Sequence, residues 1–194
     1  MSLILASASP RRKELLSLIT EDFAVIPAKG EEILDKALPP EKQVMALARQ
    51  KSEEVSALYP DSVVVGADTM VFVGEAALGK PKDSEDAARM LKLLSGKLHA
   101  VITAVSISKG GRSQTVFAEK TEVEFYPLTE REITDYINSG EPMDKAGAYG
   151  IQGRGALLIK GIKGDYYNVM GLPAARLYRE LKAFSDHSDQ RSKE

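Results

Sequence analysis

The chain has 194 residues, of which 43% are apolar and 28% are charged, with a formal net charge of −2 and no cysteine. This length and composition indicate one globular domain or two small ones and exclude a chain that is disordered throughout. The absence of cysteine excludes disulfides, thiolate catalysis and cysteine-ligated zinc or iron–sulfur sites, and the near-neutral charge argues against a protein that coats nucleic acid or anionic membrane.

The composition also limits the metal and membrane chemistry of the chain. His99 and His187 are the only histidines, too few for a multi-histidine site, so a metal would need oxygen ligands, which favours magnesium or manganese. No apolar stretch approaches the roughly 20 residues of a membrane span, and the segment that begins at Met1 lacks the basic region of a signal peptide. We therefore expect a cytoplasmic protein that does not associate with membranes.

Strands and helices alternate in the first third of the chain. Residues 3–6 predict a buried strand, and a helix is predicted over 10–19 with Ser9 as its N-cap and proline at its first position. Residues 23–26 predict a second strand. Apolar residues then recur every three or four positions over 40–58, which predicts a long helix with one face toward the core.

The rest of the chain continues the alternation and predicts an α/β fold with a mixed, twisted sheet and flanking helices. Strands are predicted at 63–65 and 70–73, followed by a hairpin near 100–108 and 113–126. Helices are predicted at 83–95, at 129–138 behind a capping box, and at 173–184. We expect one domain over 1–184, and the polar residues 185–194 predict a disordered tail.

A candidate anion site follows the first predicted strand. Ser7 and its small neighbours allow a ligand close to the backbone, and the helix that begins at Pro10 directs free N–H groups toward the same place. Arg11 and Arg12 add guanidinium groups that suit phosphate. An ordinary capped helix with solvated arginines would give the same pattern, so both interpretations stay open.

Charged residues elsewhere are further candidates. Lys51 lies on the apolar face of the helix over 40–58, so its ammonium must either extend to solvent or reach an anion. Asp68 follows the strand at 63–65, just beyond its end, where ligands bind in open α/β sheets; it could bind a metal, accept a proton from water or cap a turn. Glu31 and Glu32 are either a further ligand pair or part of a solvated loop.

Two glycine-containing segments are candidate nucleotide sites. Residues 74–80 match the spacing of a phosphate-binding loop, but Pro81 stands where that motif requires Ser or Thr, so we reject it; Lys80 could still contact phosphate. Residues 144–155 have four glycines within nine positions, which predicts either a flexible segment that cannot belong to a core and lets a ligand approach, or an irregular linker. Gln152 in this segment carries the donor and acceptor needed to read a base edge, whereas His99 is interpreted as a packing residue.

Six segments resemble, in order, the motifs of the Maf family of nucleoside triphosphate pyrophosphatases. They are residues 5–12 (LASASPRR), 66–69 (GADT), 79–81 (GKP), 94–96 (LSG), 144–153 (DKAGAYGIQG) and 169–173 (VMGLP). The resemblance implies an elongated fold like that of inosine triphosphate pyrophosphatase, with two lobes around a central cleft, often as a homodimer. It also implies metal-dependent cleavage of a nucleoside triphosphate to the monophosphate and pyrophosphate.

The same resemblance assigns expected roles to individual residues. The residues that match the phosphate-binding set are Ser7, Arg11, Arg12, Lys51 and Lys80. Asp68 matches the proton acceptor and Glu32 an acidic cleft residue, and both are expected metal ligands, although Glu31 is only one position away. The positions that match those selecting dTTP and UTP, where a sister subgroup preferring 7-methyl-GTP has other residue types, are Arg12, Thr69 and Gln152.

Two functions of different classes are compatible with these residues. The first is a pyrophosphatase that acts on dTTP, UTP or a modified pyrimidine triphosphate. The second is a nucleotide-sensing regulator of septum formation without catalysis, in keeping with a family association with cell-division arrest. A nucleic-acid-binding module is disfavoured, because aromatic and basic residues do not alternate in the sequence.

Overall fold

One mixed β-sheet organises the chain in the computed structural model, which describes residues 2–191. Its strands are β1 (Leu3–Leu5), β2 (Ala24–Val25), β3 (Val63–Val73), β4 (Ala76–Leu78), β5 (Leu98–Lys109), β6 (Arg112–Phe125) and β7 (Ile159–Lys163). The strand order is β2-β1-β3-β5-β6-β7, and β4 pairs with β3. β1 runs parallel to β2 and β3, and the other pairs are antiparallel, so the predicted mixed sheet is confirmed.

Six α-helices surround this sheet within the described residues. They are α1 (Pro10–Ser17), α2 (Pro40–Leu58), α3 (Ser84–Leu94), α4 (Glu130–Ile137), α5 (Tyr166–Met170) and α6 (Ala174–Arg191). Short 3₁₀ helices cover Glu141–Asp144, Ala146–Ala148 and Gly153–Leu158. None of these described helices is long and apolar enough to cross a membrane.

Local sequence signals placed several helix ends correctly. Ser9 caps α1, with Pro10 at the first helical position, as expected for a residue whose missing N–H costs nothing there. α2 covers the predicted range 40–58. The capping box of α4 is present, because the Thr129 side chain and the Glu132 side chain each accept a hydrogen bond from the other's backbone N–H.

The prediction of separate strands at 63–65 and 70–73 was wrong, because both belong to the single strand β3. Nine successive residues of β3 pair with β5, from Val64 opposite Ser108 to Phe72 opposite Ala100. This continuous pairing outweighs the low strand preference of Gly66 and Asp68. Asp68 therefore lies inside a strand, not beyond the end of one as the sequence suggested.

Three elements were not predicted: β4, β7 and α5. The last helix is also longer than predicted, because α6 continues from 174 to Arg191 instead of ending near 184. Residues 185–191 contain neither glycine nor proline, so nothing in their sequence stops the helix. The remaining part of the predicted tail, 192–194, lies outside the described residues.

The two faces of β3 pack against different helices, because successive side chains of a strand point to opposite faces. Met70 and Phe72 pack with residues of α2, including Val44 and Leu47. The odd-numbered Val65 faces the other side, in a core with residues of α1 and α6. Asp68 consequently projects toward α2, whereas its neighbour Thr69 projects toward α1.

Candidate active site

A gap in the sheet beside β3 forms the main cleft. On the side of β3 away from β5, β1 pairs only with residues 63–65 and β4 only with residues 71–73. The intervening stretch of β3, which includes Asp68 and Thr69, therefore has no strand neighbour on that side. A cleft of about 890 Å³ opens there, and because it passes through the sheet, side chains from both faces of β3 line it.

Arg12 is held on three sides in this cleft. Its Nε donates to the Gly171 carbonyl oxygen at 2.8 Å, one terminal nitrogen donates to Ser7 Oγ at 3.2 Å, and the other donates to Thr69 Oγ1 at 3.0 Å. A guanidinium has five N–H groups, so two remain for a ligand. Burial lowers the pKa of Arg12 from its ordinary value, while the charge of Asp68 acts in the opposite direction.

Ser7 lies between Arg12 and the start of α1. Its buried hydroxyl oxygen accepts hydrogen bonds from Arg12 at 3.2 Å and from the Ser9 backbone N–H at 3.3 Å. A hydroxyl has one proton and two acceptor positions, so these contacts leave the proton of Ser7 to donate to an anion. The predicted grouping of Ser7 and Arg12 beside the N-terminus of α1 is present in the structure, and both residues line the cleft.

Lys51 joins two carboxylates on the other face of the gap. Its ammonium lies 2.5 Å from Asp68 Oδ1 and 2.9 Å from Glu32 Oε1. Of the two fates open to Lys51 from sequence, the structure therefore shows contact with anions. Glu32 lines the cleft, whereas Glu31 contributes its backbone oxygen to a hydrogen bond from Gln50.

The opposite wall carries charged residues that sequence reasoning did not assign. Asp144 accepts hydrogen bonds from Arg11 at 3.1 Å and from Lys145 at 2.7 Å. Arg11, expected to bind phosphate, thus already has a carboxylate partner. The Glu141 carboxylate accepts from the backbone N–H groups of Arg154 and Gly155. The sequence signal that could have identified Asp144 and Glu141 was the presence of acidic residues beside the glycines of the glycine-rich segment.

The glycine-rich segment 144–155 is ordered, which corrects the expectation that it cannot belong to a core. Ala148 and Tyr149 are buried in the same core cluster as Phe125. The Tyr149 hydroxyl lies 2.7 Å from His99 Nε2, and the His99 side chain is itself buried. Glycine at position 147 allows a backbone with φ +69° to pass close to Val71. This packing anchors the segment beside the cleft, which is lined by the exposed Gln152.

Lys80 completes the set of predicted residues. It follows β4, is exposed, lines the cleft, and makes no ion pair or hydrogen bond with any residue that the structure describes. The turn between β3 and β4 is followed by no helix until Ser84, so the rejection of a phosphate-binding loop is confirmed. All nine predicted site residues line this one cleft.

The cleft could hold a divalent cation together with an anionic ligand. Asp68 and Glu32 contact the same Lys51 ammonium, so their carboxylates lie within a few ångströms of each other. Magnesium is commonly bound by one or two carboxylates plus substrate phosphates, and this pair fits that pattern. The described residues contain no group of three or more histidine or acidic side chains suited to a metal.

The fold and the cleft define an α/β protein with a charged cleft at a gap in its sheet. A family model described as Maf-like protein matches residues 2–184, so the chain belongs to the Maf family. A dTTP/UTP pyrophosphatase of Bacillus velezensis is 56% identical over 94% of this chain and 96% of that protein. One from Agathobacter rectalis is 56% identical over 93% of this chain and 96% of that protein.

A solved structure supports the fold independently. The structure of a HAM1 protein from Coxiella burnetii matches 94% of this chain and 99% of that chain with a TM-score of 0.52. The sequence identity is 13%, so this similarity concerns the fold alone.

Proposed function

We propose that this protein hydrolyses dTTP and UTP, or a modified pyrimidine triphosphate, to the nucleoside monophosphate and pyrophosphate. The observation that carries the proposal is the pairing of Asp68 with Lys51 in the same gap that holds Arg12 and Thr69. Relatives that are 56% identical over more than nine-tenths of the chain, and are named dTTP/UTP pyrophosphatases, support it.

Charge balance supports a divalent cation as part of the substrate complex. Five basic and four acidic side chains line the cleft, so its surplus of one positive charge is small beside the charge of a triphosphate. In this proposal Glu32 and Asp68 hold the cation. When bound, a divalent cation there neutralises phosphate charge and lowers the pKa of nearby water.

The residues of the chain then have distinct roles. Ser7, Arg12 and Lys80 donate hydrogen bonds or charge to phosphate oxygens, and Arg11 joins them when its contact with Asp144 opens. The Lys51 ammonium donates a hydrogen bond to one oxygen of the Asp68 carboxylate. Asp68 accepts the proton of the water that attacks the α-phosphorus. Pyrophosphate leaves, and the amide of Gln152 hydrogen-bonds the edge of the base.

The test replaces the proposed proton acceptor. Purified protein is incubated with dTTP, UTP and four other nucleoside triphosphates, in magnesium, manganese or EDTA, and the released pyrophosphate is measured. We expect turnover of dTTP and UTP that requires the metal. Asp68→Asn should lower kcat by about 100-fold or more, the typical contribution of a positioned base, without abolishing nucleotide binding.

Asp61→Asn is the matched control, because it removes the same charge from an exposed residue just before β3. Unimpaired turnover by Asp68→Asn would refute its role. Tight nucleotide binding without pyrophosphate release from the unsubstituted protein would instead support the regulator of septum formation.

The homodimer and the cytoplasmic location stay predictions.

A further inference from the structure

A buried threonine lies directly behind Thr69. Thr103 on β5 is the cross-strand neighbour of Thr69 on β3, and its side chain is fully buried. The two hydroxyl oxygens are 2.9 Å apart. Thr103 does not line the cleft, so it can influence a ligand only through its partners, Thr69 and Asn168.

The direction of this hydrogen bond follows from its other partners. Thr103 donates its single hydroxyl proton to the backbone oxygen of Asn168 at 2.8 Å. Toward Thr69 it can therefore only accept, so Thr69 must donate its own proton to Thr103. With that proton used, Thr69 can only accept, as it does from Arg12 at 3.0 Å. One acceptor position of Thr69 remains.

Asn168 fixes the start of this chain of hydrogen bonds. Its side chain is fully buried, accepts from the Thr103 backbone N–H at 3.0 Å, and donates to the Val101 oxygen at 3.0 Å and to Thr121 Oγ1 at 2.9 Å. Turning the Thr103 hydroxyl toward Thr69 would break its hydrogen bond to the Asn168 backbone oxygen, which would keep only the Gly171 N–H as a donor. The fold therefore favours the arrangement in which Thr69 donates to Thr103.

We propose that Thr103 is a specificity-determining positioning residue, which makes Thr69 an acceptor toward the cleft and so favours bases that present an N–H group. This inference rests on the proposed function. Uracil and thymine carry a proton on ring nitrogen 3, whereas cytosine has a lone pair there. A Thr69 oxygen that can only accept would bind uracil and thymine. It would repel cytosine, because the Thr69 oxygen and the cytosine nitrogen would both be acceptors and would be left unpaired.

Three variants distinguish an effect on the hydrogen-bond direction at Thr69 from a general effect on the structure. Thr103→Val keeps the shape of the side chain but removes the acceptor, so the Thr69 proton is released toward the cleft. Thr103→Ser keeps the hydroxyl. Thr121→Val removes another buried hydroxyl that is bonded to Asn168, yet no described hydrogen bond joins Thr121 to Thr69.

The experiment measures binding of the α,β-imido analogues of UTP and CTP by calorimetry, with turnover of UTP and CTP measured separately. We expect the unsubstituted protein to prefer the uridine analogue. In Thr103→Val this preference should fall by about tenfold, the value of one hydrogen bond. Thr103→Ser and Thr121→Val should keep it within about twofold, well short of the loss of a hydrogen bond.

An unchanged preference in Thr103→Val, or an equal loss in Thr121→Val, would overturn the inference. So would the absence of any preference in the unsubstituted protein. The proposed function fails in a different way, by binding of the analogues without turnover of the natural triphosphates, and the binding preference still tests Thr103 in that case.

Discussion

Burial keeps the His99 imidazole uncharged in the folded chain. The side chain is 3% exposed and packs edge-on against Phe125 and Tyr149, with ring centroids 5.1 Å and 5.3 Å away. Desolvation lowers the pKa of His99 to about 4 from an ordinary value of 6.5. The interpretation of His99 as a packing residue is thus confirmed, and its role is to support Tyr149 behind the glycine-rich segment.

This histidine should make stability depend on pH. Below pH 6.5 the unfolded chain binds a proton that the folded chain does not bind until about pH 4, so unfolding becomes more favourable as the pH falls between these values. At pH 5 the loss from His99 should be about 2 kcal/mol. Urea unfolding at pH 7.5 and pH 5 should show this extra loss in the unsubstituted protein but not in His99→Gln.

The choice of pH 5 limits the contribution of carboxylates. Asp86 and Glu132 have pKa values below their ordinary ones because they accept hydrogen bonds from Arg89 and from Thr129, and they titrate mainly at lower pH. Equal pH dependence in the two proteins would contradict the assignment of a low pKa to His99.

Residue types and order were enough to identify the candidate site, but not its contacts. Lys51 could be placed on the apolar face of a helix, yet only the packing of α2 on β3 brings it to Asp68. Arg11 contacts Asp144 and Thr103 contacts Asn168, and in both pairs the residues are more than 50 positions apart in sequence. Such contacts depend on tertiary structure, and local patterns carry no information about them.

At the scale of elements, the approach of α2 to β3 controls the geometry around Asp68. A Cβ atom on Gly66 would lie 2.6 Å from the Ala48 backbone oxygen and 2.7 Å from the Ser52 backbone nitrogen. Both neighbours are backbone atoms of α2, so a side chain at 66 would push the helix away from the strand. Lys51 precedes Ser52 and Asp68 follows Gly66 by two positions, so the same shift would separate their charged groups.

Gly66→Ala should therefore affect both stability and activity. We expect the free energy of unfolding to fall by about 1–3 kcal/mol, as for other overpacked sites, and kcat to fall with it. Gly161→Ala is the control, because a Cβ atom there would have no neighbour within 4 Å. Denaturant unfolding and pyrophosphate release report the two effects, and a Gly66→Ala protein that matches the control would contradict the close packing.

The elements with strong local signals were the ones predicted well. α2 has a long apolar stripe and α4 has a capping box, and both were placed closely. β3 was divided in two because the residues Gly-Ala-Asp-Thr have the composition of a turn, whereas pairing with β5 keeps them extended. α5 has only five residues, too few for a periodic pattern, so its position depends on tertiary contacts such as those of Asn168.

At the scale of the whole molecule, the balance of charge in the cleft should govern affinity. Asp144 neutralises part of the positive charge of Arg11 and Lys145. Burial acts to raise the pKa of Asp144, but the hydrogen bond from Lys145 and the charge and hydrogen bond of Arg11 outweigh it, so that the pKa is lower than the ordinary value. A bound triphosphate must compete with this carboxylate.

Asp144→Asn should consequently bind the α,β-imido analogue of UTP more tightly, by about fivefold at low salt, as expected for one partly screened charge. The gain should shrink in 0.5 M salt, where screening is stronger. Calorimetry at two salt concentrations measures both effects. Asp61→Asn makes the same change in net charge outside the cleft and should show no gain. Weaker binding by Asp144→Asn would mean that Asp144 serves to orient Arg11.

Because the sheet is interrupted beside β3, two adjacent residues of one strand can serve different purposes. Asp68 and Thr69 are separated by a single peptide bond, yet one belongs to the layer with Lys51 and the other to the layer with Arg12. Substitutions in the layer with Arg12 could thus alter the accepted base while the proposed hydrolytic pair, Asp68 and Lys51, stays unchanged. Proteins with this architecture could therefore come to accept a different nucleotide during evolution and keep the same residues for hydrolysis.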